Sequence, residues 1–216
     1  MADDESPAPG ALLLVDGHSL AYRAFFALPD DIATSAGQPT NALYGLASMM
    51  MKVVAETRPG RVVVCWDAPG KVFRHEQFPE YKAGRRDTPD LFREQSPHFQ
   101  PLMERFGFTN TSLEGFEADD VIGTLARQAE AAGEDVVILT GDRDAFQLAS
   151  DRIAIMATGR GVTDTKLYTP AAVEGRYGIG PALMTDFRGM VGDPSDNLPG
   201  VPGIGEKTAT QLLHTY

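Results

Sequence analysis

Three short runs constrain this chain most: "ALLLVD" (11–16), "RVVVCWD" (61–67) and "DVVILTGD" (135–142). Each is a near-continuous apolar stretch rich in Val, Leu or Ile. A strand with one wet face alternates apolar and polar residues, whereas an unbroken run needs cover on both faces, as in a parallel sheet. Helical patterns lie between the runs, over 18–28, 41–56 and 117–132, the last closing near Gly133. Strand alternating with helix predicts an α/β fold with a mostly parallel central sheet flanked by helices and joined by right-handed crossovers. A further strand is expected at 152–156, and shorter helices at 170–177 and 181–190. There is no internal repeat, and 216 residues suit one generous domain, alone or with a small module.

Two segments depart from that alternation. Residues 69–97 hold four prolines and no sustained apolar period. A connection of this length, against ordinary ones of about 4–6 residues, is a functional loop or a disordered one. Residues 197–213, "NLPGVPGIGEKTATQLL", form a Gly/Pro-rich turn leading into a short helix. The chain stops at Tyr216 inside a helical pattern without a capping signal, which reads as a piece of a longer protein. The first ten residues, "MADDESPAPG", read as a disordered leader, lacking the basic start and apolar core of a signal peptide. No apolar run approaches the ~18 residues of a membrane span. The single cysteine, Cys65, excludes an internal disulfide and reads as a buried strand residue. These features predict a cytoplasmic chain.

Each strand run ends in an aspartate: Asp16, Asp67 and Asp142. In open α/β sheets ligands bind beyond the carboxyl ends of the strands, so the three converge on one crevice. Asp144 follows Asp142 by two residues. The stretch "EGFEADDVIG" crowds Glu114, Glu117, Asp119 and Asp120 where a helix begins at the same end of the sheet, and "GDPSDN" adds Asp193 and Asp196. Any one of these acids reads first as a cap or turn residue. Together they do not, because two carboxylates ~4 Å apart repel by roughly 4 kcal/mol at an effective dielectric of ~20. Mg²⁺ or Mn²⁺, two per site, would relieve that repulsion through oxygen ligands and could clamp the oxygens of a phosphodiester.

The net charge of −11 argues against a nucleic-acid partner until its distribution is considered. Setting aside the nine candidate acids leaves −2, and setting aside Asp3, Asp4 and Glu5 as well leaves +1. Basic residues cluster at Lys71, Arg74, Lys82, Arg85 and Arg86, with Phe78 and Tyr81 among them. Cations interleaved with aromatics suit a nucleic-acid strand, by phosphate pairing and base stacking. In "LPGVPGIGEKTA" a glycine-rich turn opens a helix and can present backbone N–H groups to a phosphate, with Lys207 one turn into the helix. None of the four histidines has a partner readable from sequence; His18, close after Asp16, is not required by the metal chemistry.

Six stretches in order, "LLVDGHSLAYRAFFAL", "TNALYG", "FRHEQFPEYKAGR", "GFEADDVIGTLA", "LTGDRDAFQL" and "GDPSDNLPGVPGIGEKTA", carry a resemblance to the 5′ nuclease (flap endonuclease) family. Within it the chain most resembles the 5′→3′ exonuclease domains at the N-termini of bacterial DNA polymerase I. The resemblance implies a PIN-like core over 11–190, a helical gateway and arch within 69–97, and a helix–hairpin–helix over 191–216 that grips duplex DNA. It implies that Asp16, Asp67, Glu117, Asp119 and Asp120 surround one metal ion, and Asp142, Asp144, Asp193 and Asp196 a second. It implies DNA contacts by Arg23, Arg74, Tyr81, Lys82 and Arg85 and by Gly203, Gly205 and Lys207, with K⁺ held near the hairpin. Lys82 and Arg85 would neutralise the transition state. The implied substrates are DNA with a 5′ flap or 5′ end and RNA–DNA primer junctions, cut in replication and repair by a monomer that is fused to, or works with, a polymerase.

Three other readings compete. A haloacid-dehalogenase-type phosphatase needs a second Asp where His18 stands. A PIN-type RNase shares the acidic crevice but usually lacks the arch and helix–hairpin–helix. A structure-specific DNA-binding module would have no use for nine crevice acids.

Overall fold

The computed structural model describes residues 9–85, 87–159, 161 and 164–216. Most of the expected leader, residues 1–8, and Arg86 of the basic segment lie outside the described residues. Six strands form one sheet: β1 (Leu12–Asp16), β2 (Arg61–Cys65), β3 (Thr109–Thr111), β4 (Val136–Thr140), β5 (Ile153–Thr158) and β6 (Thr165–Tyr168). Their order is β3-β2-β1-β4-β5-β6, parallel throughout except for the antiparallel β5–β6 pair. The sheet is thus mostly parallel and flanked by helices, as the apolar runs require.

β1 is buried along its whole length and alternates between the two faces. Leu13 and Val15 belong to one apolar cluster, Leu12 and Leu14 to the other. The first cluster takes α1 (Gly17–Ala27), α2 (Asn41–Thr57), α4 (Asp90–Gln95) and α5 (Phe99–Arg105). The second takes α6 (Ala118–Ala131), α7 (Pro170–Tyr177), α8 (Met184–Val191) and α9 (Glu206–Thr215). α1 and α2 approach closely because Gly45 has no side chain: a Cβ there would lie 2.6 Å from Ala24 Cβ. Cys65 is fully buried, and burial pushes its thiol up to about 12. Among the described residues, no helix is long and apolar enough to cross a membrane.

Several expectations need correction. β2 ends at Cys65 and β4 at Thr140, so Asp67 and Asp142 stand two residues beyond their strands and not at their last positions. The expected helix at 181–190 is a 3₁₀ turn, Pro181–Leu183, followed by α8. Residues 69–97 carry α3 (Phe73–Gln77) and α4, each under two turns. Lys207 is the second residue of α9, not one turn in. Strand order reverses at β1, which has β2 on one side and β4 on the other. Such a switch point opens a crevice at the carboxyl ends of the strands, where Asp16 closes β1.

Candidate active site

The helix that begins at the acidic cluster uses acids to cap itself. Asp120 accepts the Glu117 backbone N–H (3.0 Å), and Asp67, from beyond β2, accepts the Ala118 N–H (2.8 Å). Amides at a helix N-terminus lack intrahelical partners, and carboxylates also suit the dipole there. The capping account is therefore right for part of the cluster; Glu117 and Asp119 are left for other work. Asp16 caps α1, accepting the Ser19 N–H (3.0 Å), and its second oxygen accepts the Thr140 hydroxyl (2.9 Å). Asp142 turns the chain after β4 by accepting the Asp144 N–H (2.8 Å). Asp193 and Leu198 exchange backbone hydrogen bonds, closing a tight hairpin that returns Asp193 and Asp196 to the same end of the sheet. Gly192 (φ 83°) makes that closure feasible, since a Cβ there would meet Gly200 N and Leu198 O at 2.6 Å.

All nine predicted acids line two adjoining clefts, of about 430 and 1010 Å³, that share Glu117, Asp119 and Asp142. The structure sorts the nine by charge. Five meet cations. Arg74 grips both oxygens of Asp120 (2.7 Å each) and approaches Glu117 (3.2 Å). Lys82 pairs with Glu117 and lies 3.9 Å from Asp196, while Arg85 bonds Asp196 (2.7 Å). Arg188, from α8, bonds Asp144 (2.6 Å) and Asp193 (2.5 Å). The other four, Asp16, Asp67, Asp119 and Asp142, have no lysine or arginine at ion-pair distance among the described residues.

The carboxyl groups respond accordingly. Burial, then the charges of Asp67 and Asp142, raise Asp16 to about 6 against its two hydrogen bonds. Crowding by protein, then Asp16, Asp142 and Asp67, push Asp119 up to about 8. The Asp119 side chain still reaches solvent, so salt screens part of that repulsion. Burial and Asp142 raise Asp144 despite Arg188. Asp120 goes the other way: against the cost of burial, the Arg74 fork holds it below the usual carboxylate range. Bonds from Ser195 and the charge of Arg188 do the same for Asp193.

Among the described residues, no group of three or more His, Cys, Asp or Glu side chains is arranged to hold a metal ion as it stands. The expected ligands share a crevice, yet eight of the nine are hydrogen-bonded to cations, amides or hydroxyls. The donor set still fits a hard divalent ion. Every donor is an oxygen, and the charges of Asp67 and Asp142 help to raise Asp16 and Asp119, as like charges gathered without a lysine or arginine do.

The expected DNA contacts divide. Arg74, Tyr81, Lys82 and Arg85 reach the crevice, but on its acids. Tyr81 is buried, with its hydroxyl 2.9 Å from both Glu117 and Asp196, able to give its one proton to either. Lys82 has φ 60°, uncommon for a residue with a side chain, and its N–H bonds the Asp196 carbonyl (3.1 Å). Arg23 lies apart, donating to the Thr158 carbonyl (3.3 Å). Gly203, Gly205 and Lys207 sit exposed at the turn into α9 and line neither acidic cleft.

Three crevice residues were not among the site residues expected from the sequence. Arg188 precedes Asp193 by five residues on a helix and gave no signal beyond its charge. Tyr22 lines the smaller cleft and bonds Thr88 through its hydroxyl. His18, set aside above, stands beside Asp67: its Nδ1 accepts the Asp67 N–H (3.1 Å) and its ring meets Trp66 edge-on.

Comparison with known proteins finds matches over residues 11–216. Residues 11–178 match the family model of the 5′-3′ exonuclease N-terminal resolvase-like domain, and residues 179–216 that of the 5′-3′ exonuclease C-terminal SAM fold. DNA polymerase I of Bacillus subtilis (strain 168) is 47% identical over 205 residues, covering 95% of this chain and 23% of the polymerase. The thermostable DNA polymerase I of Thermus thermophilus is 49% identical over 207 residues, covering 96% and 24%. The chain thus spans about a quarter of these relatives. Among solved structures, T5 5′-exonuclease with bound divalent metal ions (zinc) matches with a TM-score of 0.76 at 21% identity, over 95% of this chain and 75% of that one. Flap endonuclease-1 from Methanococcus jannaschii matches at 0.61 and 18%, over 96% and 71%. At those identities the likeness is one of fold.

Proposed function

Because this chain belongs to the 5′-3′ exonuclease family, we propose that it is a divalent-metal-dependent 5′→3′ exonuclease and 5′-flap endonuclease. One observation carries the proposal: nine carboxylates from separate segments line one crevice at the switch point of a parallel sheet, four of them without a cation. Asp16, Asp67, Glu117, Asp119 and Asp120 would hold one Mg²⁺ or Mn²⁺, and Asp142, Asp144, Asp193 and Asp196 a second. Such ions, when bound, supply Lewis acidity toward the phosphodiester and the attacking water. Lys82 and Arg85 then exchange their carboxylate partners for phosphate oxygens and neutralise charge that develops there. Arg74 and Tyr81 steady the strand beside them, and Arg23 contacts it farther out.

The core over 11–190 does the cutting, and 191–216 grips the duplex as a helix–hairpin–helix. There the turn containing Gly203 and Gly205 offers backbone N–H groups to a phosphate at the start of α9, Lys207 adds charge, and carbonyls of the turn hold K⁺. The substrates are DNA with a 5′ flap or 5′ end and RNA–DNA primer junctions, in replication and repair. The chain acts as a monomer in the cytoplasm, at the nucleoid, within or beside a polymerase; the relatives named DNA polymerase I support that setting.

The test compares a 5′-labelled flap duplex with a single-stranded RNA in Mg²⁺, Mn²⁺ and EDTA. Short 5′ fragments released from flap DNA in either metal, and none in EDTA, are expected. Cleavage confined to RNA would instead make the chain a PIN-type RNase, and flap binding without cleavage a DNA-binding module.

A further inference from the structure

The cations on the crevice acids come from two places. Arg74, Lys82 and Arg85 belong to the segment that carries α3 and the proposed strand contacts. Arg188 belongs to α8, whose Met184 and Phe187 are each 1% exposed in the core. Arg74 lies on the short helix α3 and Lys82 and Arg85 in the loop after it, whereas Arg188 stands on a helix packed into the core. Its guanidinium divides one positive charge between Asp144 Oδ1 and Asp193 Oδ2. The other Asp193 oxygen already accepts two bonds from Ser195, backbone N–H (2.8 Å) and hydroxyl (2.6 Å). Oδ2 is therefore the Asp193 oxygen with room for a cation, and Arg188 is on it.

We propose that Arg188 is an internal counter-cation: it occupies Asp144 and Asp193 in the metal-free protein and competes with a divalent ion for them. The inference rests on the reading above that these two acids are metal ligands. One guanidinium beside Asp142, Asp144 and Asp193 leaves excess negative charge, so an ion is still attracted. It binds more weakly than it would to the bare carboxylates, because a fixed cation must first be displaced. Arg188 thereby sets the affinity of this half of the crevice, which fills readily only at higher metal concentration.

Calorimetric titration of the DNA-free chain with Mn²⁺ tests this in the wild type, Arg188→Gln and Arg188→Lys. Arg188→Gln keeps a polar side chain of similar reach without the charge, and circular dichroism checks its fold. The weaker class of site should tighten about tenfold, or about 1.4 kcal/mol, in Arg188→Gln. Arg188→Lys should fall between, and adding Asp144→Asn should abolish the gain. Mn²⁺ binding that is unchanged or weaker in Arg188→Gln would overturn the proposal while leaving the metal site standing. Absence of Mn²⁺ binding in the wild type and every variant would overturn both.

Discussion

Asp119 shows what the crevice does to a single residue. Its carboxyl sits at about 8 in the folded protein against an ordinary 3.8, by crowding and by three neighbouring carboxylates. Between those values the folded state holds a proton that the unfolded chain gives up. The metal-free protein therefore has this contribution in full below about 4 and loses it as pH rises through about 8; Asp16 adds the same sign up to about 6. In EDTA, the urea midpoint should fall between about pH 6 and about pH 8.5, and Asp119→Asn should remove most of the fall. An equal fall in the variant would mean that Asp119 is not the strained group. At this scale the acids were legible, because their positions after strand runs and before a helix place them at one end of the sheet whatever their rotamers. Arg188 and His18 were not, because sequence says nothing of where a helical side chain turns, and each lies on an element whose other residues explain it as core.

Two irregular elements are clasped together across the crevice. The loop after α3 and the 193–198 hairpin are joined by the Tyr81 hydroxyl on Asp196, the Lys82 N–H on the Asp196 carbonyl, Arg85 on Asp196, and the Asn197 amide on the Glu80 carbonyl (2.8 Å). Tyr81 is the buried member, so Tyr81→Phe should keep the ring packing and lose one charge-assisted hydrogen bond, costing about 1–3 kcal/mol in urea unfolding. A loss within error of zero would show that the clasp is held by the salt bridges alone. Long periodic elements such as α2 and α6, and the apolar runs of β1, β2 and β4, were readable because several periods repeat within each. β3, β6 and α3–α5 were not, since three to seven residues hold too few periods to separate helix from strand from turn. Their placement comes from the tertiary neighbours: β3 completes the sheet beyond β2, and α4 and α5 cover its first face through Phe92 and Phe99.

For the whole molecule, the net charge of −11 and a nucleic-acid substrate are compatible because charge is partitioned. Acids gather at the strand ends, and the loop cations now resting on them are the ones proposed to meet phosphate. The α/β class, and the gathering of acids at one end of the sheet, followed from three apolar runs ending near aspartates. The pairing of the proposed catalytic cations with the proposed metal ligands did not, because it arises between segments more than 30 residues apart in sequence. The most direct measurement is cleavage and binding of a 5′-labelled flap duplex by the wild type and Asp142→Ala, in Mg²⁺, Mn²⁺ and EDTA. The wild type should release short 5′ fragments with either metal. Asp142→Ala should bind the flap within about threefold of wild type yet cleave it at least ~10²-fold more slowly. Near-normal turnover by Asp142→Ala would contradict the assignment of the crevice as the cutting site.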